Sequence, residues 1–498
     1  MIESNKRFLV CFLLIVTSLF LVACNAAQES ETSESGVETA EDPGSEQQVE
    51  DQSAEEQSTA DKSAVEEENP EESDAEIGAV ETPNQEVNPT GEEEQDAEEA
   101  TATSVPEEPT AEPPTATPAE PTTEPELIDG IAQVDDRPDG LRQVTNGWAT
   151  NWDQHTIAYD ELLAGGPSRD GIPSIDNPNF ITLEETAGLI ADIEPVIAFE
   201  LNGEARAYPL QILIWHEIVN DMIGDTPILV TFCPLCNSAL VFDRRVNGET
   251  LEFGTSGLLR NSDLVMYDRS TESLWQQFTG EGIVGEMVGQ MLEFLPSSIV
   301  SLADFEQAYP EGLVLSPQTG YDRPYGVNPY TGYDTYEHPL SLDGEMVLLS
   351  GEQDRRFPAA ERVVAVSLDD QGIDIAYPLS VLSELGAIND RQGDQDIVVL
   401  FQSGTNSALG SQVIIFADDV GATGVFDPNF DGQKLTFTND GETITDNETG
   451  SRWNILGQSV EGPLAGSSLR PLVHGDHFWF AWAAFKPETI IYEGPSEG

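Results

Sequence analysis

Cys233 and Cys236, in Phe232-Cys233-Pro234-Leu235-Cys236-Asn237, are the residues of this chain whose type and spacing point most directly to chemistry. Two thiols at this spacing can hold a metal ion, exchange with a disulfide, or close a small loop. The chain carries its own comparison. An internal repeat matches Val196-Ile197-Ala198-Phe199 through Tyr208-Pro209-Leu210 to Val364-Ala365-Val366 through Tyr377-Pro378-Leu379. The same register carries Val219-Asn220-Asp221 onto Ile388-Asn389-Asp390, and Asn237-Ser238-Ala239-Leu240 onto Asn406-Ser407-Ala408-Leu409. Cys233 then faces Gln402, Cys236 faces Thr405 and His216 faces Leu385. A fold that forms in one copy without these residues does not need them as generic packing, so they are the candidates for chemistry.

Three chemistries remain open for the pair. With His216, which sits between Trp215 and Glu217 on the preceding predicted helix, two thiolates and one imidazole make a set suited to zinc or copper. A fourth ligand is sought at His474, His477 or Met266; the bland alternative for His216 is a hydrogen-bonded structural histidine. Thiol redox is the second chemistry. The strand Ile228 to Phe232 running into Cys-x-x-Cys looks like a thioredoxin active site, but that site needs a helix after the first cysteine. Here Ala239-Leu240-Val241-Phe242 reads as strand, which excludes thioredoxin and leaves redox chemistry on another scaffold. The third is a local disulfide clip, worth about 2 kcal/mol at best by loop entropy. Between Leu251 and Asp268 the first copy carries about six more residues than the second. They read as a surface loop, where Arg260, Asn261 and Asp263 are candidates to grip a small polar ligand.

The elements that must position these residues alternate between short strands and helical turns. Val196 to Leu201 and Glu204 to Tyr208 form a hairpin across Asn202-Gly203. Leu210 to Met222 has helical spacing, and Ser238 to Asp243 is expected to pair with Thr250 to Phe253 across Asn247-Gly248. Asp268, Thr271, Ser273 and Trp275 recur as Asp446, Thr449, Ser451 and Trp453, which reads as a structural turn with a core tryptophan. Phe478-Trp479-Phe480-Ala481-Trp482 reads as core. Phe305 to Leu315 aligns with Trp482 to Tyr492 and closes each copy. The expected fold is α+β and β-dominated, a tandem duplication of one α+β unit after a disordered N-terminal region. Residues 128–345 hold the first unit with its lead-in and a Tyr/Pro/Gly-rich connector near 317–345; residues 346–498 hold the second.

The N-terminus reads as an address. Lys6 and Arg7 precede an apolar run, Phe8 to Phe20, and Leu21-Val22-Ala23-Cys24 has the form of a lipobox, so residues 1–23 are expected to leave and Cys24 to be lipidated. The alternative, an uncleaved membrane helix, needs ~20 apolar residues and the run is shorter. Residues 25–127 hold 33 Asp and Glu against one basic residue, Lys62, and no aromatic residue. Such a segment stays disordered because it cannot bury enough apolar surface to offset the entropy of ordering. The segment 24–127 is therefore read as a stalk of about 55 Å or more, stiffer over the Thr/Pro/Glu-rich part from Thr101 to Glu126. It serves as a tether or, less simply, as a cation- or partner-binding tail. Residues 128–498 hold 58 Asp and Glu against 17 Lys and Arg, a net charge of −41 (17 − 58). That charge excludes nucleic acid and anionic membrane surfaces as partners. With Cys11 removed and Cys24 lipidated, Cys233 and Cys236 are left in an oxidising compartment, on the outer face of the cytoplasmic membrane or the cell surface.

From about residue 130 to 494 the chain resembles the bacterial family called domain of unknown function 3179. The resemblance rests on Gly171-Ile172-Pro173-Ser174-Ile175-Asp176-Asn177-Pro178, Trp215-His216-Glu217-Ile218-Val219-Asn220-Asp221 and Phe232-Cys233-Pro234-Leu235-Cys236. Gly257-Leu258-Leu259-Arg260-Asn261-Ser262-Asp263-Leu264-Val265-Met266-Tyr267-Asp268 and Phe478-Trp479-Phe480-Ala481-Trp482 extend it. It implies the limits of the folded body and brings no activity. The expected protein is lipid-anchored and extracytoplasmic, with one cysteine-pair site for metal or redox chemistry in the first copy. Its partners are the cell membrane through Cys24 and an unidentified small molecule, metal or extracytoplasmic protein. The competing class is a non-catalytic surface-binding or interaction module with the pair as a local disulfide.

Overall fold

Asn202 and Gly203 take φ of 55° and 88°, the two left-handed positions that a tight hairpin turn requires. They join β1 (Pro195–Leu201) to β2 (Glu204–Pro209) in the register Leu201↔Glu204. The structure is a computed structural model that describes residues 136–335, 341, 342, 345, 346 and 348–495. The signal segment, Cys24 and the acidic stalk lie outside the described residues.

Pro209 ends β2 and leads into α1 (Leu210–His216), whose aliphatic residues are buried and whose Trp215 is half-buried. The helix expected to reach Met222 stops six residues sooner. Glu217 takes a left-handed conformation with φ of 58°, its N–H closing on the Leu213 carbonyl at 2.7 Å. The β-branched Ile218 and Val219 then open β3 (Ile218–Ile223), which pairs with β4 (Thr226–Cys233). Cross-strand pairing and β-branching outweigh the helical spacing of the apolar positions. β5 (Ser238–Asp243) pairs antiparallel with β4, Cys233 opposite Ser238. The Cys-x-x-Cys segment is thus itself a hairpin turn. The expected pairing of Ser238 to Asp243 with Thr250 to Phe253 does not form, because the far edge of β5 is taken by the strand Glu293–Leu295. Asn247-Gly248 turns only the short ladder Arg245–Val246 with Glu249–Thr250.

β6 (Phe253–Arg260) and β7 (Asp263–Asp268) follow as a long antiparallel pair with a register shift between Thr255 and Leu258. The extra residues of the first half are therefore strand and not a surface loop. At the far end of β7, Asp268 accepts from the Thr271 N–H at 2.7 Å and the Trp275 indole at 3.0 Å. Asp446 accepts from the Thr449 N–H at 2.6 Å and the Trp453 indole at 3.0 Å, so this turn is built alike in both halves, as the sequence indicates.

In the second half Arg362–Leu368 and Ile373–Pro378 form a hairpin that leads into a helix, Leu379–Leu385, ended by Gly386 at φ 69°. Ala387–Gln392, Gln395–Gln402 and Ala422–Asp427 then pair in turn. Asn406-Ser407-Ala408-Leu409 matches the start of β5 in sequence but lies in the loop between the last two of these strands. Asp419 holds that loop by accepting the backbone N–H groups of Gly404, Thr405 and Gly421 at 2.8, 3.1 and 2.8 Å. The fold is β-dominated throughout. One buried cluster joins the halves: Ile197, Phe232, Cys233 and Cys236 pack in it with Val363, Phe478, Trp479 and Trp482.

Candidate metal centre

Cys233 is the last residue of β4, and Cys236 sits in the turn that follows, its N–H on the Cys233 carbonyl at 3.2 Å. Asn237, at φ 51°, completes the reversal. The turn is braced from the second half: the Phe478 N–H donates to the Cys236 carbonyl at 2.9 Å, and the Asn237 amide to the Asp476 carbonyl at 3.3 Å. Against it stands the tip of the β6–β7 hairpin. Asn261 and Ser262 both take positive φ, 52° and 65°, so Asp263 opens β7 directly beside the thiols. The two Sγ atoms and a carboxylate oxygen of Asp263 lie within 4.8 Å of one another. All three residues are buried, Cys236 and Asp263 fully, and both cysteines are free thiols.

The electrostatics of this cluster are lopsided. Asp263 Oδ2 accepts from the Gln276 amide at 2.6 Å and the Phe278 N–H at 3.0 Å; Oδ1, shut from solvent, makes no hydrogen bond of good geometry and faces the thiols of Cys233 and Cys236. Burial raises this carboxyl to about 7. Glu217 approaches from the end of α1. Its carboxyl has no hydrogen-bond partner among the described residues, and burial, followed by the charge of Asp263, raises it to about 8. Burial likewise raises both thiols, Cys236 well above the usual range. Neither carboxyl is in an ion pair with Arg or Lys among the described residues. Two thiols and the Asp263 carboxyl share one buried place, and buried charge must be neutralised by a proton, a partner or a metal. Glu217 also bears backbone strain. It occupies the left-handed position that Gly386 fills in the other half, where a residue with a Cβ costs about 1 kcal/mol or more.

Of the other residues singled out in the sequence, few converge here. His216 has both ring nitrogens engaged, Nδ1 with the Pro173 carbonyl and Nε2 with the Tyr325 hydroxyl, each at 2.7 Å. Burial holds it at about 4. It therefore fastens the connector to α1 and does not reach the thiols, and the Trp215 indole adds a second tie to the Val327 carbonyl at 3.1 Å. His474 bonds to the Leu472 carbonyl at 2.9 Å and lies 3.4 Å from the Ser298 hydroxyl. It is not in the ligand cluster. His477 stacks on Trp482 with ring centres 5.7 Å apart, and Met266 is buried opposite Trp275 in the β7 pairing. Arg260 donates to Glu161 at 2.7 Å, and the Asn261 side chain accepts the Ser350 N–H at 3.0 Å. Neither projects toward a common ligand with Asp263. The sequence reading missed Glu217 at the site, Asp263 as a partner of the cysteines, and the connector tyrosines Tyr330 and Tyr333. Burial, followed by the charge of Glu217 and Cys233, raises the Tyr330 phenol well above its ordinary value; burial, followed by the charges of Tyr330 and the two cysteines, does the same to Tyr333. The connector is pinned to the second half, with Asn328 N–H on the Gln412 carbonyl at 2.9 Å and Gly332 N–H on the Leu409 carbonyl at 2.9 Å. Two signals for the missed residues were present: Glu217 aligned with a glycine, and extra residues before Asp268.

Fold and site together define a β-dominated α+β body with one shut cluster of two thiols and a carboxylate at a hairpin turn. The chain belongs to the family described as Protein of unknown function (DUF3179), which it matches over residues 169–489. No curated protein and no solved structure matches it.

Proposed function

We propose that this protein is a lipid-anchored, extracytoplasmic metal-binding protein whose first unit holds one zinc or copper ion through Cys233, Cys236 and Asp263. The observation that carries the reading is the convergence of three ligand atoms from two separate hairpins within 4.8 Å, in a buried place. Thiolate sulfur and carboxylate oxygen are a donor set for borderline divalent ions, and binding one supplies the charge that burial otherwise denies. Redox chemistry fits less well. An exchanging thiol needs access and a lowered pKa, whereas these two are buried and raised. A closed site also favours an ion taken up during folding over one that turns over substrate.

The remaining parts of the proposal are the anchor and the repeat. Leu21-Val22-Ala23-Cys24 after an apolar run supports lipidation at Cys24, and the acidic stalk supports a tether. The two halves are read as copies of one unit. The orders Ser298–Ser301, β1, β2, Leu313–Leu315 and Gly475–Phe478, Arg362–Leu368, Ile373–Pro378, Ile490–Ile491 support that reading, since both end on a parallel pair. The test is elemental analysis of the full-length protein purified without chelator, with zinc and copper each offered to a second sample. One ion per chain, lost in the Cys233→Ser/Cys236→Ser variant and reduced in Asp263→Asn, is the expected result. A wild-type chain that takes up neither metal would sink the reading.

A further inference from the structure

We infer that the second half carries a separate binding site, a cleft suited to a neutral polyhydroxy compound such as a mono- or disaccharide. The cleft has a volume of about 380 Å³, inside the range of small-molecule pockets, about 300–1,000 Å³. Its lining comes from the connector, the start of the strand Arg362–Leu368, the helix Leu379–Leu385 and the loop after Gln402. Arg362 is the residue that gives it a chemistry. In the register that sets Val364 against Val196, Arg362 stands against Glu194, so the matching stretch of the first half does without this charge. The Arg362 side chain is 14% exposed, and Nη2 makes both of its hydrogen bonds, to Asp334 Oδ2 at 3.2 Å and to the Ser407 hydroxyl at 2.9 Å. The Ser407 hydroxyl in turn donates to Asp334. Nε and Nη1 make no hydrogen bond among the described residues, and neither is shut from solvent.

The unused donors decide the class of ligand. A guanidinium grips a carboxylate or phosphate through two parallel N–H groups, and each such pair includes Nη2. With Nη2 spent on Asp334 and Ser407, Nε and Nη1 are left on different sides of the group, where each suits a single bond to a separate hydroxyl oxygen. Charge points the same way. Asp334, Glu361 and Asp419 line the cleft against one arginine, so an anion would meet repulsion there. A sugar hydroxyl both donates and accepts, and so pairs with N–H groups and carboxylates alike. The acceptors are held in place: Asp419 by the backbone N–H groups of its loop, and Glu361 by the Ser380 N–H at 3.2 Å. Leu379, Phe401 and Val420 add an apolar wall for the C–H face of a sugar ring.

The test offers glucose, galactose, N-acetylglucosamine, maltose and cellobiose to the full-length protein, with citrate as the anionic comparison. Binding is read by calorimetry and by saturation-transfer NMR. At least one sugar should bind saturably, and citrate should not. Ser383→Trp fills the cleft from the exposed side of its helix and should weaken that sugar at least tenfold at an unchanged melting temperature. Arg362→Lys keeps the charge, removes the Nε and Nη1 donors, and should weaken it by a similar factor. Because Arg362 also ties the connector to the second half, the surface variant carries the decision if the lysine variant folds poorly. A wild-type chain that binds none of the five sugars would overturn the proposal. Citrate bound more tightly than every sugar would overturn the class of ligand. A sugar whose affinity Ser383→Trp leaves unchanged would be bound elsewhere, and the cleft would then lose its role.

Discussion

The last residue of α1 and the one that follows it meet opposite fates here. His216 had the better claim to a metal by residue type, yet both its nitrogens are spent on Pro173 and Tyr325. Glu217 had no claim by type, yet it is buried at the helix end and its charge bears on Cys233. The cysteines were legible because the matching segment of the second half, read as a repeat, lacks them. Glu217 was legible only as the residue opposite Gly386, since a side chain standing where glycine is sterically preferred is retained for some other reason. His216→Ala is therefore expected to leave one metal per chain while lowering stability by roughly 1–3 kcal/mol, the cost of unsatisfying buried hydrogen-bonding groups. Elemental analysis and a denaturant titration on the same sample check both halves of this statement. Loss of the metal at unchanged stability would return His216 to the ligand set.

At the scale of elements, local signals were read well and long-range pairings were not. The dipeptides Asn202-Gly203 and Asn247-Gly248 both turn hairpins, because only residues tolerant of positive φ fit there. The partner of β5 could not be read locally, since Glu293–Leu295 lies some fifty residues away and no turn signal links them. The segment before Asp268 read as a loop because it holds about six residues that the matching stretch of the second half lacks, and insertions usually sit in surface loops. In the fold these residues make a bulge and a tight turn in a continuous hairpin. The bulge aims the hairpin. Gly257 has φ of 77°, and a Cβ there would run into the Pro167 carbonyl oxygen. Gly257→Ala should displace the tip that carries Asp263, weakening zinc binding tenfold or more and lowering stability by about 1–3 kcal/mol. Asn261→Gly, which keeps the turn's positive φ and loses one bond to Ser350, should bind zinc within about twofold of wild type. Chelator competition on the pair separates hairpin geometry from side-chain chemistry. Equal affinities for both variants would mean that the hairpin does not position a ligand.

Across the whole molecule, buried groups of opposite kind set how stability responds to pH. Burial holds His216 at about 4 and His477 at about 3, below the ordinary 6.5. It raises Asp263 to about 7 and Glu217 to about 8, from 3.8 and 4.5. Between pH 4.5 and 6.5 the unfolded chain takes up protons on two histidines that the folded chain keeps neutral. Over the same range the folded chain holds protons on two carboxyls that the unfolded chain has released, and burial adds a lowered His474 to the first set and a raised Asp476 to the second, so the slopes oppose each other. Above pH 6.5 the unfolded histidines lose their remaining protons and their contribution fades by about pH 7.5. The carboxyls then dominate: the unfolded chain binds fewer protons, and stability falls as pH rises, by roughly 2 kcal/mol up to pH 8. Zinc bound as proposed would reverse this arm. Its ligands must be deprotonated, so rising pH favours binding and the bound ion neutralises the charges that destabilise the metal-free fold. Denaturant titrations of the chelator-treated protein should give a flat profile from pH 5 to 6.5 and a decline toward pH 8. The zinc-loaded protein should show no such decline, and the gap between the two should widen with pH. A metal-free profile that stays flat through pH 8 would mean that Asp263 and Glu217 ionise freely in the fold, and the buried cluster would then have no unmet charge for a metal to answer.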